Sequence, residues 1–475
     1  MFKTFVIKQT SGAGKIKAFC ELLTLHKIKF GKIKTTRAAT GYHYAAAKDN
    51  TPLSISDEDL VISAYQPLAM LTQILLEPEP EVVDSNTYDI TAWSLLHAFG
   101  LEAFALKERI DPTEIFEYKK LPITEKNTDR AYAYVAEWNG LNNARFVQFL
   151  LQKSIKIRAA SADFEVGGKK FKRGSLIITR GDNPSVSSNF DSEITAAALR
   201  HEQIIAPIKT GFVDKGYDLG SGHLELLNQP TVAIIFDDDI DNNSYGQMWH
   251  FFERDLNMAV TQLKLTDLGR ARIGNFNVIC MTDGSYANLD SAKIEKLRQW
   301  VADGGRLILI GDAVAAFEDK KGFEITKFVE KRDRDFANEI KTAEDSRRKF
   351  MHFDEFERDA ISDGNPGCIY KLKMDNSHPL AYGLSDYYFS LKTSGMTYPL
   401  LKNAYNVGYV DGSVKPLGFI GNRLKKQMPN TAVFATQTIR RGSVIYMVDN
   451  PLYRAFGIKV KCLWLMPFLC LFGKF

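Results

Sequence analysis

From Pro230 onward the chain alternates fully apolar runs with amphipathic stretches, and this constrains the fold more than any other feature. The runs 231–236 (TVAIIF), 276–282 (FNVICMT) and 306–310 (RLILI) read as strands, with another at 259–265. Stretches 244–257 and 290–303 carry helical periodicity, and Gly304-Gly305 supplies a C-cap and turn. Strands apolar on both faces and separated by helices belong to a parallel, doubly wound sheet covered on both sides. Strands expected near 369–374, 416–420, 431–436 and 443–448 complete this domain in antiparallel fashion, beyond a charged insertion at 318–360.

The first half predicts two smaller α/β units. Strand 4–8, helix 13–27, strand 28–34 and strand 60–64 are echoed by strand 132–137, helix 141–153, strand 155–158 and strand 176–179. A hairpin at 164–173 turns at Gly167-Gly168. Leu22-Leu23 and Ile28-Lys29 match Leu150-Leu151 and Ile155-Lys156, and the segment 59–63 matches 175–179, as in an internal duplication. Stretch 87–108 is ambiguous between helix and strand. The expected fold class is α/β: tandem small α/β units followed by a doubly wound, mostly parallel sheet. The boundaries fall at 1–120, 121–225 and 226–456, with an atypical apolar tail at 457–475.

Composition narrows the function classes. Sixty-one Lys+Arg against 57 Asp+Glu leave a net charge of +4, too small for a dedicated nucleic-acid binder. The five cysteines include no CxxC, so they read as buried small hydrophobes rather than disulfides or a thiolate metal site. The apolar segment 462–473 is shorter than the roughly 20 residues a bilayer crossing needs. No signal peptide precedes Lys8, which implies a cytoplasmic location if the chain is expressed as it stands.

Several stretches imitate catalytic motifs. Thr10-Ser-Gly-Ala-Gly-Lys15 follows a strand and opens a helix, as a phosphate-binding loop does. Gln9 stands where glycine is needed and Ile16 where Ser or Thr would hold Mg²⁺, so a helix N-cap at Thr10 or Ser11 is expected instead. Asp237 and Asp239 give the D-x-D spacing of haloacid-dehalogenase-like phosphohydrolases, with Thr282 and Asp312 at later strand ends. The further acid of that motif set is missing after Asp312, where Ala313–Phe317 intervene. A Mg²⁺-dependent phosphohydrolase using Asp237 and Asp239 is the alternative reading. The turn after 306–310 sits where an amidotransferase-like sheet carries its nucleophile elbow, and its equivalent position is read as Asp312, without a Cys-His-Glu set. His250 with Glu253, and His352 with Glu355, satisfy HxxE, and His378 would be a third zinc ligand. No downstream Glu follows Glu357 as general base, and His250, in an aromatic helix, reads as a core or boundary residue.

Taken together, 59–67 (DLVISAYQP), 87–106 (TYDITAWSLLHAFGLEAFAL), 133–152 (AYVAEWNGLNNARFVQFLLQ), 174–183 (GSLIITRGDN), 249–253 (WHFFE), 377–384 (SHPLAYGL) and 444–454 (VIYMVDNPLYR) resemble one family. It is the post-catalytic region of large bacterial zinc carboxypeptidase-like proteins of the carboxypeptidase A superfamily, Bacteroidetes type. The resemblance reaches to about Phe456 and carries no catalytic motif. It implies a terminal glutamine-amidotransferase-like domain without its nucleophile. It also implies a secreted or periplasmic family whose zinc resides in an upstream catalytic domain, with a peptidase domain or subunit for a partner. The chain itself is expected to lack cofactor and peptidase activity, and to bind peptide or glycan at a rim of Asp237, Asp239, Asp283 and Asp312. The abrupt start and the tail GIKVKCLWLMPFLCLFGKF suggest a truncated gene with a shifted reading frame. Neither nucleic acid nor a membrane span is expected.

Overall fold

A computed structural model describes residues 1–82, 89–117, 130–138, 140–327, 349–412 and 414–455. The apolar tail and residues 328–348 of the charged insertion lie outside the described residues. Three sheets organise the molecule, built from strands within 4–106, 133–226 and 232–447. The chain is α/β, with two small units preceding a doubly wound sheet.

In the first unit, Thr4–Ile7 lies between Ala103–Leu106 and Leu60–Ser63, antiparallel to both. In the second, Ala133–Ala136 lies between Ala206–Ile208 and Leu176–Thr179, again antiparallel. The central registers coincide: Thr4 to Ile7 face Ser63 to Leu60, and Ala133 to Ala136 face Thr179 to Leu176. Each central strand feeds a helix, Ala13–Leu25 or Leu141–Gln152, that ends in the same way. Lys27 and Ser154 both take φ 58°, and the following Ile28 and Ile155 amides donate to Leu23 and Leu150 at 2.9 and 3.0 Å. Leu23, not Leu22, is thus the partner of Leu150. Fully apolar central strands are buried on both faces because helices cover one and a hairpin or loop the other.

The expected strand 28–34 reduces to single bridges at Gly31 and Lys32. A Cβ on Gly31 would approach the Glu114 carbonyl oxygen to 2.5 Å, so this crowded approach requires glycine. The ambiguous stretch holds a short helix, Leu95–Ala98, and the strand Ala103–Leu106. The helix expected over 13–27 begins after Gly12, at φ 93°, with no side-chain cap from Thr10 or Ser11.

The third sheet runs in the order Thr261–Lys264, Val232–Phe236, Val278–Met281, Arg306–Ile310, Gly442–Met447, Thr431–Ile439, Tyr405–Tyr409, Cys368–Met374 and Tyr387–Lys392. The first five are mutually parallel and the remainder antiparallel. Position 416–420 contributes only a bridge from Leu417 to Ile369. The helix expected over 244–257 spans Asn242–His250 and then widens into a π turn at Phe251–Asp255.

Both small units lean on this sheet. Arg145 Nε and Gln152 Nε2, on the second unit's helix, donate to the Asp255 and Asn257 carbonyls at 2.5 and 3.2 Å. Thr91 ties the first unit to the antiparallel end: its amide and hydroxyl both donate to the Gly367 carbonyl, and the hydroxyl accepts from Phe419 N at 2.7 Å. Among the described residues no helix is long and apolar enough to cross a membrane.

Candidate functional site

The strand order reverses around Val232–Phe236: the chain leaves it for Thr261–Lys264 on one side and returns to Val278–Met281 on the other. Ligands of open α/β sheets bind at such a switch point, outside the carboxyl ends of the strands. Here the two loops that would flank it are zipped together. Ile240 bridges Gly284, Asp241 N donates to the Asp283 carbonyl at 3.0 Å, and Ser285 N donates to the Asp239 carbonyl at 2.8 Å. The open crevice is displaced toward the next strands. It encloses about 520 Å³ and is lined by Asp241, Ser244, Asp283, Asp312, Asn450 and Arg454 among others.

Asp283 is the hub. Its carboxylate accepts from Ser244 Oγ at 2.8 Å, Asn450 Nδ2 at 3.0 Å and Asp312 N at 3.1 Å. Burial, aided by the nearby Asp312 carboxylate and opposed by these donors, raises its pKa above the ordinary aspartate value. Asp312 stands exposed at the mouth, accepting only a long 3.3 Å bond from Gly284 N among the bonds described. Asp241 caps the helix Asn242–His250, accepting from Ser244 N at 2.6 Å.

The four-aspartate rim expected from the sequence is therefore halved. Asp283 and Asp312 line the crevice; Asp237 and Asp239 do not. Asp237 Oδ2 instead accepts from Thr266 N at 2.9 Å, and Asp239 is exposed. That bond holds the Asp237 carboxyl below its usual range, a turn-capping role.

The elbow also moves by one residue. After Arg306–Ile310, the residue in the strained strand-to-helix turn is Gly311, at φ 54° and ψ −124°, and not Asp312, which begins the helical turn. A nucleophile elbow places its Ser or Cys in such a turn. A Cβ on Gly311 would lie 1.6 Å from Asp283 Oδ1. The Asp283 carboxylate thus occupies the space of an elbow side chain, and it accepts from the amide that follows the elbow. No nucleophile and no free amide remain for acyl transfer at this turn.

Behind the crevice lies a buried ion pair that the sequence reading missed. Lys392 and Asp449, with side chains 2% and 3% exposed, approach to 3.3 Å. Tyr370 and Ser390 hydroxyls both donate to Asp449 Oδ2 at 2.6 Å. Asn450, next in sequence, joins this pair to the Asp283 hub. The signal was available: Asp449-Asn450 lies one residue past the carboxyl end of the apolar strand Gly442–Met447.

The HxxE pairs and His378 do not come together as a zinc site. His250 and Glu253 are both exposed on the helix and its π turn, which corrects the core or boundary placement expected for His250. Glu355 caps its own helix, accepting from His352 N at 3.1 Å. His378 is buried, its Nδ1 accepts from Leu380 N, and burial pushes its pKa down to about 4. Among the described residues no three His, Cys, Asp or Glu side chains are grouped to hold a metal. The phosphate-loop imitation likewise dissolves, with Ile16 buried in the first unit's core.

No family model matches the sequence, and no curated protein does. Solved structures share partial likeness. A ThuA-like protein from Bacteroides uniformis is 12% identical, over 50% of this chain and 89% of that one, at a TM-score of 0.30. A GMP synthase subunit from Thermoplasma acidophilum is 9% identical, over 50% and 96%, at 0.28. A β-galactosidase from Bacillus circulans sp. alkalophilus is 10% identical, over 51% and 30%, at 0.27. None is close enough to carry an argument.

Proposed function

We propose that this chain is the non-catalytic, accessory C-terminal portion of a zinc metallocarboxypeptidase-like protein. Its doubly wound, glutamine-amidotransferase-like domain keeps a binding crevice and has lost the chemistry. One observation carries the reading: glycine occupies the elbow turn, and the Asp283 carboxylate fills the space where a nucleophile would stand. The remaining lining, Ser244, Asn450, Asp312 and Arg454, offers hydrogen-bond donors and acceptors suited to a polar segment of peptide or glycan. Asp312 is the accessible acceptor of that set, and Asp283, Ser244 and Asn450 hold its surroundings in place.

A peptidase domain or subunit is the partner this role requires. The test combines zinc content with hydrolysis of a C-terminal peptide bond by the purified chain. Binding without turnover, weakened by Asp312→Asn, is expected. A phosphohydrolase would instead show Mg²⁺-dependent hydrolysis of a phosphate ester that Asp237→Asn abolishes.

A further inference from the structure

A second cavity, remote from the elbow, lies where the first small unit meets the antiparallel end of the large sheet. It encloses about 440 Å³, within the range of small-molecule sites. One wall is the first unit, with Tyr42, Ala47 and the buried His97; the other is the outer face of Cys368–Met374 and Tyr387–Lys392. On that face the pairing sets Lys371 opposite Phe389 and Lys373 opposite Tyr387, so cations and rings form a chequered patch. Asp386, Asp411 and Lys415 complete the rim.

The electrostatics select the ligand. Each lysine is already engaged. Lys373 donates to Asp411 at 3.0 Å, and Lys415 pairs with Glu79. Lys371 donates to the Ala45 carbonyl at 2.7 Å while its Nζ lies 4.5 Å from the Tyr387 ring centroid. An anionic ligand would have to break these pairs. The buried imidazole adds no charge, since burial pushes the His97 pKa down to about 3. What remains is a patch of rings edged by matched donors and acceptors. Such a surface suits a molecule with apolar C–H faces and many neutral hydroxyls.

We propose that this inter-unit groove binds a neutral oligosaccharide, with pyranose rings against Tyr387 and hydroxyls bonded to the Lys373–Asp411 pair. Because its walls come from two units, the ligand also fastens the first unit to the large sheet.

The test is calorimetric titration of the purified full chain with cellotetraose, mannotetraose and chitotetraose, alongside tetragalacturonate and tetra-alanine. At least one neutral tetrasaccharide is expected to bind. Tyr387→Ala and Lys373→Met should each weaken it about tenfold or more, equivalent to roughly 1.4 kcal/mol. The melting temperatures of the variants report their folding. Lys373 is exposed, so its variant keeps the test readable if Tyr387→Ala unfolds. No binding by the neutral tetrasaccharides would overturn the inference. So would binding confined to tetragalacturonate or tetra-alanine, or binding indifferent to both groove variants.

Discussion

Gly311 concentrates the account into one residue. Its backbone sits in a region that side chains rarely adopt, and its missing Cβ is the space that Asp283 uses. Gly311→Ala would add strain and drive a methyl group into a buried carboxylate held by three donors. A loss of roughly 3 kcal/mol in unfolding free energy is expected, measured by urea denaturation. Asp283→Ala should relieve much of the added cost when combined with it, so the two substitutions should be strongly non-additive. The sequence announced the turn but not its centre. Gly311 and Asp312 are adjacent, and only the backbone angles show which of them is the elbow. The buried Asp283 was readable as a strand-end carboxylate. The exclusion of Asp237 and Asp239 was not, because it depends on two loops hydrogen-bonding through Ile240, Gly284 and their neighbours.

Among the elements, the strands Gly442–Met447 and Tyr387–Lys392 join the parallel and antiparallel halves through their contribution to one buried pair. Lys392→Met leaves Asp449 charged in a dry site with only two hydroxyls, and should cost about 3–5 kcal/mol in chemical denaturation. A cost below about 1 kcal/mol would mean that water reaches the pair. The apolar runs of the large sheet were legible because burial on both faces leaves no polar alternation to confuse them. The hairpin Arg37–His43 with Lys48–Ile55 was not, since polar and exposed residues such as Arg37, Thr40 and Lys48 to Asn50 interrupt any apolar run. Likewise 416–420 reads as a strand but pairs only at Leu417, and a Cβ on the next residue, Gly418, at φ 85°, would lie 2.5 Å from Thr91 Oγ1 of the first unit. Tertiary contact, invisible to local pattern, decided the second.

For the whole molecule, buried histidines set the response to acid. His97 and His378 keep folded pKa values of about 3 and 4, below the ordinary value of 6.5. Between those limits the unfolded chain binds more protons, so their contribution is intact above pH 6.5 and is lost as the pH falls through the folded values. Asp283 acts with the opposite sign: its raised pKa makes the folded state hold a proton that the unfolded chain has released, so its penalty grows as the pH rises. Stability from urea titrations should therefore fall from pH 6.5 to 4. His97→Gln should flatten that fall and Asp283→Asn steepen it. A stability independent of pH across this window, in the parent and both variants, would contradict these burial assignments.

A crevice that binds without reacting should leave benzoyl-glycyl-phenylalanine intact when it is incubated with the purified full chain and added zinc. Release of phenylalanine at the buffer rate is expected, unchanged by Asp312→Asn and by His250→Ala. Zinc-dependent turnover that either substitution abolishes would contradict it.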